Sequence, residues 1–301
     1  MDSKEIRAAT FMGHIAKSIL LSPQCKAGVD WLENHFPLLR KWHRFEYDQH
    51  FDRVNQWQRM FSGVYPSFEA AERAIPAGKT IGFDHAETAV FLGQKARILA
   101  SDYPVLFWLR QLIGPRTRIF DFGGYSGMTY RAYAPYLDFP DGLEWIVYDV
   151  PAVIAAARKR QAEAGSTEKH LRFTGDTEDA DSADIFLASG SLHYCKRNLS
   201  DYIRPLKTPP RYLLLSKLPL TAGPPFVTLQ NMGPAIAPYK IFNADEFTEE
   251  IKSLGYSVLD SWSNPDVSCY IPFHPDHTVR EFTGMLLGLT PKASEYAEKV
   301  V

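Results

Sequence analysis

The sequence has little cysteine, no excess of either charge and no long apolar run, and each shortage removes a class of function. Its 301 residues contain three cysteines, Cys25, Cys195 and Cys269. They are odd in number and far apart, which gives neither a disulfide framework nor the close spacing of a metal site. A reducing, cytoplasmic compartment is the expectation. Lys and Arg total 33 against 35 Asp and Glu, a net charge of −2, so nothing electrostatic argues for nucleic acid or an anionic membrane surface as partner. The longest N-terminal apolar stretch, Ile15 to Leu21, is broken by Lys17 and Ser18. It lacks a signal-peptide pattern, and no later stretch reaches the roughly 20 residues that cross a bilayer. Two nucleotide-binding frames are missing as well. Counted from Gly123, the G-x-G-x-x-G frame of a dinucleotide site falls on Tyr125 and Met128, which disfavours NAD and a nucleotide-binding oxidoreductase. No Gly-Lys-Ser or Gly-Lys-Thr follows to make a phosphate loop.

What is present is an ordinary soluble composition, 45% hydrophobic and 23% charged, enough for one α/β domain with an accessory region. Residues 1–115 read as mostly helical. Ile6, Ala9, Ile15 and Ile19 recur at roughly helical intervals up to Ser22-Pro23, and similar patterns run from Gln24 to His35 and from Leu38 to about Trp57. Ser67 is an N-cap for a short helix that Pro76-Ala-Gly78 ends, and further helices are expected over Ala86 to Ala100 and Tyr103 to Ile113. The aromatic series Trp31, Phe36, Trp42, Phe45, Phe51, Trp57 and Phe61 reads as packing between helices or as a homodimer face, with substrate capture as the sharper alternative. From residue 116 the texture changes. Strands are expected over Arg118–Phe122, Leu143–Tyr148, Leu171–Thr174, Ile185–Ala188, Arg211–Lys217 and Tyr256–Trp262, with helical stretches between them. That alternation predicts a mostly parallel sheet with helices on both faces over residues 116–301. Asn243 with Asp245 and Glu246 starts a helix that Gly255 stops.

The chain is organised around Arg118 to Met128, a buried strand that runs into a glycine turn and a helix disturbed by Pro135. Asp121 at the strand end, followed by Gly123, Gly124 and Gly127, resembles the first motif of class I S-adenosylmethionine-dependent methyltransferases, D/E-x-G-x-G-x-G. Tyr125 stands where that motif has its central glycine. The resemblance implies S-adenosyl-L-methionine as cofactor, with its amino-acid portion at Asp121, Gly123, Gly124, Tyr125 and Gly127. Asp149, at the carboxyl end of the next strand, is the expected acceptor for the two ribose hydroxyls, beside Val150. Its other reading is a helix N-cap ahead of Val150-Pro151. Asp176 and Thr177, after the third strand, are expected at the adenine edge, although an exposed turn aspartate fits the same position. Ser189, Gly190 and His193 follow the fourth strand, where cofactor and acceptor should meet.

More of the chain carries the resemblance. Phe120 to Gly124, Trp145 to Pro151, Leu187 to Gly190 with Leu192-His-Tyr194, Phe226 to Asn231, and Ile271-Pro-Phe-His274-Pro occur in one order. Together, from about Trp57 to Leu287, they are similar to a family of bacterial methyltransferases inferred from sequence and often associated with surface-polysaccharide or secondary-metabolite genes. The implied fold is a Rossmann-like, mostly parallel sheet closed by an antiparallel edge hairpin, here Tyr256–Trp262 with Ser268–Phe273. The implied activity is methyl transfer. A hydroxyl of a small metabolite or sugar is the expected acceptor, and nitrogen or carbon methylation, or a non-catalytic binding or assembly module, remain the alternatives. His193 is the expected general base, with packing beneath the cofactor as its other reading, and His274 is the second candidate. Gln230, Asn231 and Tyr239 are expected in the substrate wall or in a hydrogen-bonded loop. His274, Asp276 and His277 are too small a cluster to argue for metal.

Overall fold

The computed structural model describes residues 37–53, 60–89, 97–163 and 168–290, and the chain divides into two compact units, 1–53 and 54–301. In the first unit the described element is helix α1 (Pro37–Arg53), with His50 and Arg53 in its last turn, where a helix C-terminus favours cations. Trp42 and Phe45 of the aromatic series are 62% and 59% exposed, whereas Phe51 is buried. The helices expected before α1, together with Trp31, Phe36 and Trp57, lie outside the described residues.

The first described element of the second unit is a strand in a stretch expected to be helical, β1 (Met60–Tyr65). It is followed by α2 (Phe68–Ala74), whose first turn is capped as the sequence suggests, with Ser67 Oγ accepting from Ala70 N at 3.1 Å. Then come α3 (Ala86–Ala89), the described start of the helix expected from Ala86, and α4 (Tyr103–Leu112). The α/β run is β2 (Arg118–Phe122), α5 (Met128–Tyr133), β3 (Glu144–Tyr148), α6 (Pro151–Glu163), β4 (Leu171–Thr174), β5 (Ile185–Ser189), α7 (Ser200–Ile203) and β6 (Tyr212–Leu218). An insertion supplies β7 (Leu220–Thr221), β8 (Phe226–Asn231) and β9 (Ile236–Asn243). The chain then returns through α8 (Ala244–Ser253), β10 (Tyr256–Asn264) and β11 (Phe282–Leu289). No described helix is long and apolar enough to cross a membrane.

The main sheet has seven strands in the order β10-β11-β6-β5-β2-β3-β4. Neighbours pair in parallel except that β11 runs antiparallel to both β6 and β10. Numbered along the sheet strands alone, the order is 3-2-1-4-5-7-6 with the seventh reversed. Its core follows the two-residue period of a strand. Ile119 packs on one face with Leu109, Tyr133, Trp145 and Leu187, and Phe120 on the other with Ile146, Phe186, Leu213 and Phe247.

The edge hairpin differs from expectation in its partner strand, which is Phe282–Leu289 and not Ser268–Phe273. A strand flanked on both sides must be apolar on both faces and free to donate every N–H. Met285, Leu286 and Leu287 are all buried, whereas the earlier segment contains Pro272 and makes a single bridge, Cys269 with Val279.

The insertion builds a second, four-stranded sheet in the order β1-β8-β9-β7. β8 and β9 form an antiparallel hairpin, and β1, from far upstream, pairs antiparallel with β8, Phe61 lying opposite Gln230. This small sheet stands against the carboxyl ends of the parallel strands and forms one wall of the site.

Candidate active site

A cavity of about 680 Å³ opens at the carboxyl ends of β2, β3, β5 and β6, the edge at which open α/β sheets bind ligands. Gly123, Tyr125, Asp149 and Val150 line one end, and Gln230, Pro238 and Tyr239 of the small sheet line the other. A strap, residues 81–88, closes the front with Phe83, Asp84 and Thr88. A second depression of about 710 Å³ lies between α2 and α8, away from these strand ends. Its rim is bridged by the Glu69–Lys196 ion pair at 2.6 Å, and it has no glycine turn.

The glycine turn at the end of β2 is compact because side chains would not fit there. Gly123 has φ +70°, its N–H donates to Tyr148 O at 2.8 Å, and a Cβ on it would lie 2.4 Å from the Ser191 Cβ. A Cβ on Gly124 would lie 2.5 Å from the Asp121 carboxyl group. Asp121 is 1% exposed and accepts from Trp145 Nε1 at 3.0 Å. Burial pushes its carboxyl up to about 7, with the Trp145 hydrogen bond opposing and the Asp149 charge adding. Asp121 therefore supports the turn from beneath and is not part of the cavity wall. Tyr125 adopts φ +56°, a left-handed conformation that glycine takes without strain. Its side chain leaves the turn towards the strap, where the hydroxyl donates to Thr88 O.

Asp149 joins this turn to the next βα loop. Its Oδ2 accepts from Tyr125 N at 2.8 Å and its Oδ1 from Val150 N at 2.8 Å. Burial raises its carboxyl to about 6, the Val150 and Tyr125 hydrogen bonds oppose that rise, and the Asp84 charge adds to it. Each carboxylate oxygen still has a second acceptor site. The capping role expected of Asp149 is performed in part by the strap, since Asp84 Oδ1 accepts from Ala152 N, in the first turn of α6, at 2.8 Å. The strap is pinned at its base too, with Gly82 N donating to Ile236 O at 3.0 Å and Ile236 N to Thr80 O at 2.9 Å.

The other end of the cavity is aromatic. The buried His193 ring lies 4.1 Å from the Tyr239 ring and 4.4 Å from that of Tyr194, and Phe83 meets Tyr194 edge-on at 4.8 Å. The Tyr194 hydroxyl donates to Gln230 Oε1 at 2.5 Å, which orients that amide on the wall. Lys217, at the end of β6, also lines the cavity, with Nζ 2.8 Å from Asp102 Oδ1.

No protein-family model matches the chain, and neither does any curated protein. Solved structures do resemble it. The 1,6-didemethyltoxoflavin-N1-methyltransferase of Burkholderia thailandensis, with 1,6-didemethyltoxoflavin and S-adenosylhomocysteine bound, is similar over 67% of this chain and 81% of its own, at 17% identity and a TM-score of 0.42. The CcbJ methyltransferase of Streptomyces caelestis is similar over 71% and 99%, at 13% identity and 0.45. The mitomycin 7-O-methyltransferase MmcR is similar over 63% and 54%, at 17% identity and 0.37, so the match spans about half of that protein. At such identities and TM-scores these likenesses carry nothing about the reaction or the acceptor. The sheet order 3-2-1-4-5-7-6, with its reversed seventh strand, is this chain's own. It is the class I methyltransferase fold.

Of the residues singled out from the sequence, Gly123, Tyr125, Asp149, Val150, Ser189, His193, Gln230 and Tyr239 share this one cavity. Others lie off its wall. Gly127 starts α5 and packs towards Leu171 and Phe173. Asp176 accepts from Glu178 N at 2.8 Å as the cap of the short turn that contains Thr177. Asn231 Oδ1 accepts from Gly233 N at 2.6 Å and shapes the β8–β9 turn. His274 lies in the loop after Ile271, its ring 6.1 Å from that of His277. Among the described residues no group of three or more His, Cys, Asp or Glu side chains is placed to hold a metal. Sequence reasoning missed the strap residues Phe83, Asp84 and Thr88, and Lys217. Only Lys217 had a signal, as the last residue of an expected strand.

Proposed function

We propose that this chain is an S-adenosylmethionine-dependent methyltransferase that acts on a hydroxyl group of a small molecule. One observation carries the reading: Asp149, held by the Tyr125 and Val150 N–H groups, faces the cavity beside a turn in which Gly123 and Gly124 have no room for a Cβ. The charge at this end favours that cofactor over a dinucleotide. Among the described residues Asp84 and Asp149 line it and no lysine or arginine does, so a pyrophosphate would have no side-chain cation from them. A ribose diol can instead donate to Asp149, and a sulfonium benefits from the same negative field.

The bound cofactor would supply an activated methyl group on a sulfonium. The protein's part is mainly to align the acceptor with it and exclude water, and such positioning is worth about 7–11 kcal/mol of a barrier. The strap and the small sheet cover the cavity for that purpose. In this reading His193 takes the acceptor's hydroxyl proton, a contribution of about 10²- to 10⁴-fold for a general base. Gln230, oriented by Tyr194, and Tyr239 form the acceptor wall.

Calorimetric titration with S-adenosylhomocysteine and with NAD tests the cofactor. The expected result is binding of the first and not the second. Binding of NAD alone overturns the reading.

A further inference from the structure

We propose, building on that methyltransferase reading, that the acceptor is a flat aromatic molecule with an acidic hydroxyl, and that Lys217 binds the hydroxyl oxygen as an oxyanion. The acceptor end of the cavity is walled by Phe61, Phe83, Tyr194, Tyr239 and Phe282. A sugar ring would turn several hydroxyls towards such surfaces without hydrogen-bond partners, at a desolvation cost. An aromatic ring gains stacking and edge contacts from them instead.

Among the described residues, Lys217 is the one lysine or arginine on the cavity lining. Its backbone has φ +58°, uncommon for a residue with a side chain. Its stem runs past Gly190, where an added Cβ would lie 3.5 Å from Lys217 Cδ. The side chain is only 15% exposed, and its partner Asp102 is 7% exposed. Asp102 is shared among three donors. Its Oδ1 receives Lys217 Nζ at 2.8 Å and the Tyr133 hydroxyl at 3.0 Å, and its Oδ2 receives Leu99 N at 2.8 Å. That sharing spreads the carboxylate's charge and fixes the lysine's position. An ammonium carries three donors, and Asp102 is Lys217's one partner among the described residues. The remaining N–H groups are available to the cavity, at the ends of β5 and β6 beside the segment that carries His193. The other charged groups that the described residues bring to the lining, Glu72, Asp84 and Asp149, are carboxylates, so Lys217 is the cationic anchor they offer an acidic hydroxyl. The hydroxyl proton passes to His193 as the oxyanion forms at Lys217, and in the transfer the oxyanion forms the oxygen–carbon bond while the carbon–sulfur pair returns to sulfur.

The test uses the full chain with 4-nitrophenol, whose phenolate has its own absorption band, and methyl glucoside as the sugar probe. Bound to the wild-type protein at pH 6, 4-nitrophenol should be ionised about tenfold more than in free solution, the effect of roughly one charge-assisted hydrogen bond. Lys217→Met should abolish that gain and Lys217→Arg should retain part of it. Because Lys217→Met leaves Asp102 buried without its cation, the double variant Asp102→Asn/Lys217→Met provides the same comparison with both charges removed. An equal phenolate gain in the folded double variant and the wild type overturns the proposal. So does binding of methyl glucoside without binding of 4-nitrophenol. S-adenosylhomocysteine affinity should stay within about threefold in every variant. Failure of the wild-type protein to bind it at all would remove the cofactor reading, while the phenolate measurement still reports on Lys217.

Discussion

Asp84 accepts a hydrogen bond from the backbone N–H of Ala152 at 2.8 Å, across 68 residues of sequence. A carboxylate from the strap thus satisfies one of the free N–H groups at the start of α6 and holds the strap beside Asp149. Asp84→Ala should therefore destabilise the fold by about 1 kcal/mol, the usual loss on removing a cap. It should also weaken S-adenosylhomocysteine binding several-fold by releasing the strap. Urea unfolding and calorimetry measure the two effects, and an unchanged unfolding midpoint would show that this bond caps nothing in solution.

Asp149→Ala should weaken cofactor binding by about 1.5–3 kcal/mol, the range for hydrogen bonds to a charged group. Some of the loss in stability will be separate, because Tyr125 N and Val150 N lose their acceptor. Equal affinity in a folded variant would reduce Asp149 to a loop brace.

The two raised carboxylates have opposite consequences for folding and for binding. Asp121 is pushed up to about 7 and Asp149 to about 6, from 3.8. Between pH 4 and 7 the folded chain therefore holds protons that the unfolded chain has released, so these groups favour folding below pH 4 and lose that contribution as pH rises to 7. Asp121→Asn should flatten this part of the stability profile, by on the order of 2–4 kcal/mol. A profile as steep as that of the wild type would assign the slope to other groups. Cofactor affinity should move the other way and increase as pH rises through about 6, because the ionised Asp149 is the better acceptor for ribose hydroxyls. Titrations at pH 5 and pH 7 check the sign.

His193→Ala should lower the single-turnover rate at least about 100-fold, with any acceptor that the wild-type chain methylates, and leave cofactor affinity within about threefold. A large loss of cofactor affinity with little change in rate would make the ring a packing element between Tyr239 and Tyr194.

The parallel strands of this protein could be read locally. Arg118–Phe122 and Leu171–Thr174 were expected at the limits they have, because short apolar runs between turn residues need no distant information. The caps Ser67 and Asn243 were legible for the same reason, since each bonds an N–H three residues ahead. The glycine turn and Asp149 could be placed at one sheet edge once the strand ends were known. Tertiary structure alone decided the rest. β1 is a strand because β8, more than 160 residues later, offers Gln230 opposite Phe61. β11 displaces Ser268–Phe273 because an inner strand needs two buried faces and every N–H. The strap reaches the site through Tyr125–Thr88 and Asp84–Ala152, and Lys217 meets Asp102. Those partners are 37, 68 and 115 residues apart, a distance over which neither periodicity nor capping carries a signal.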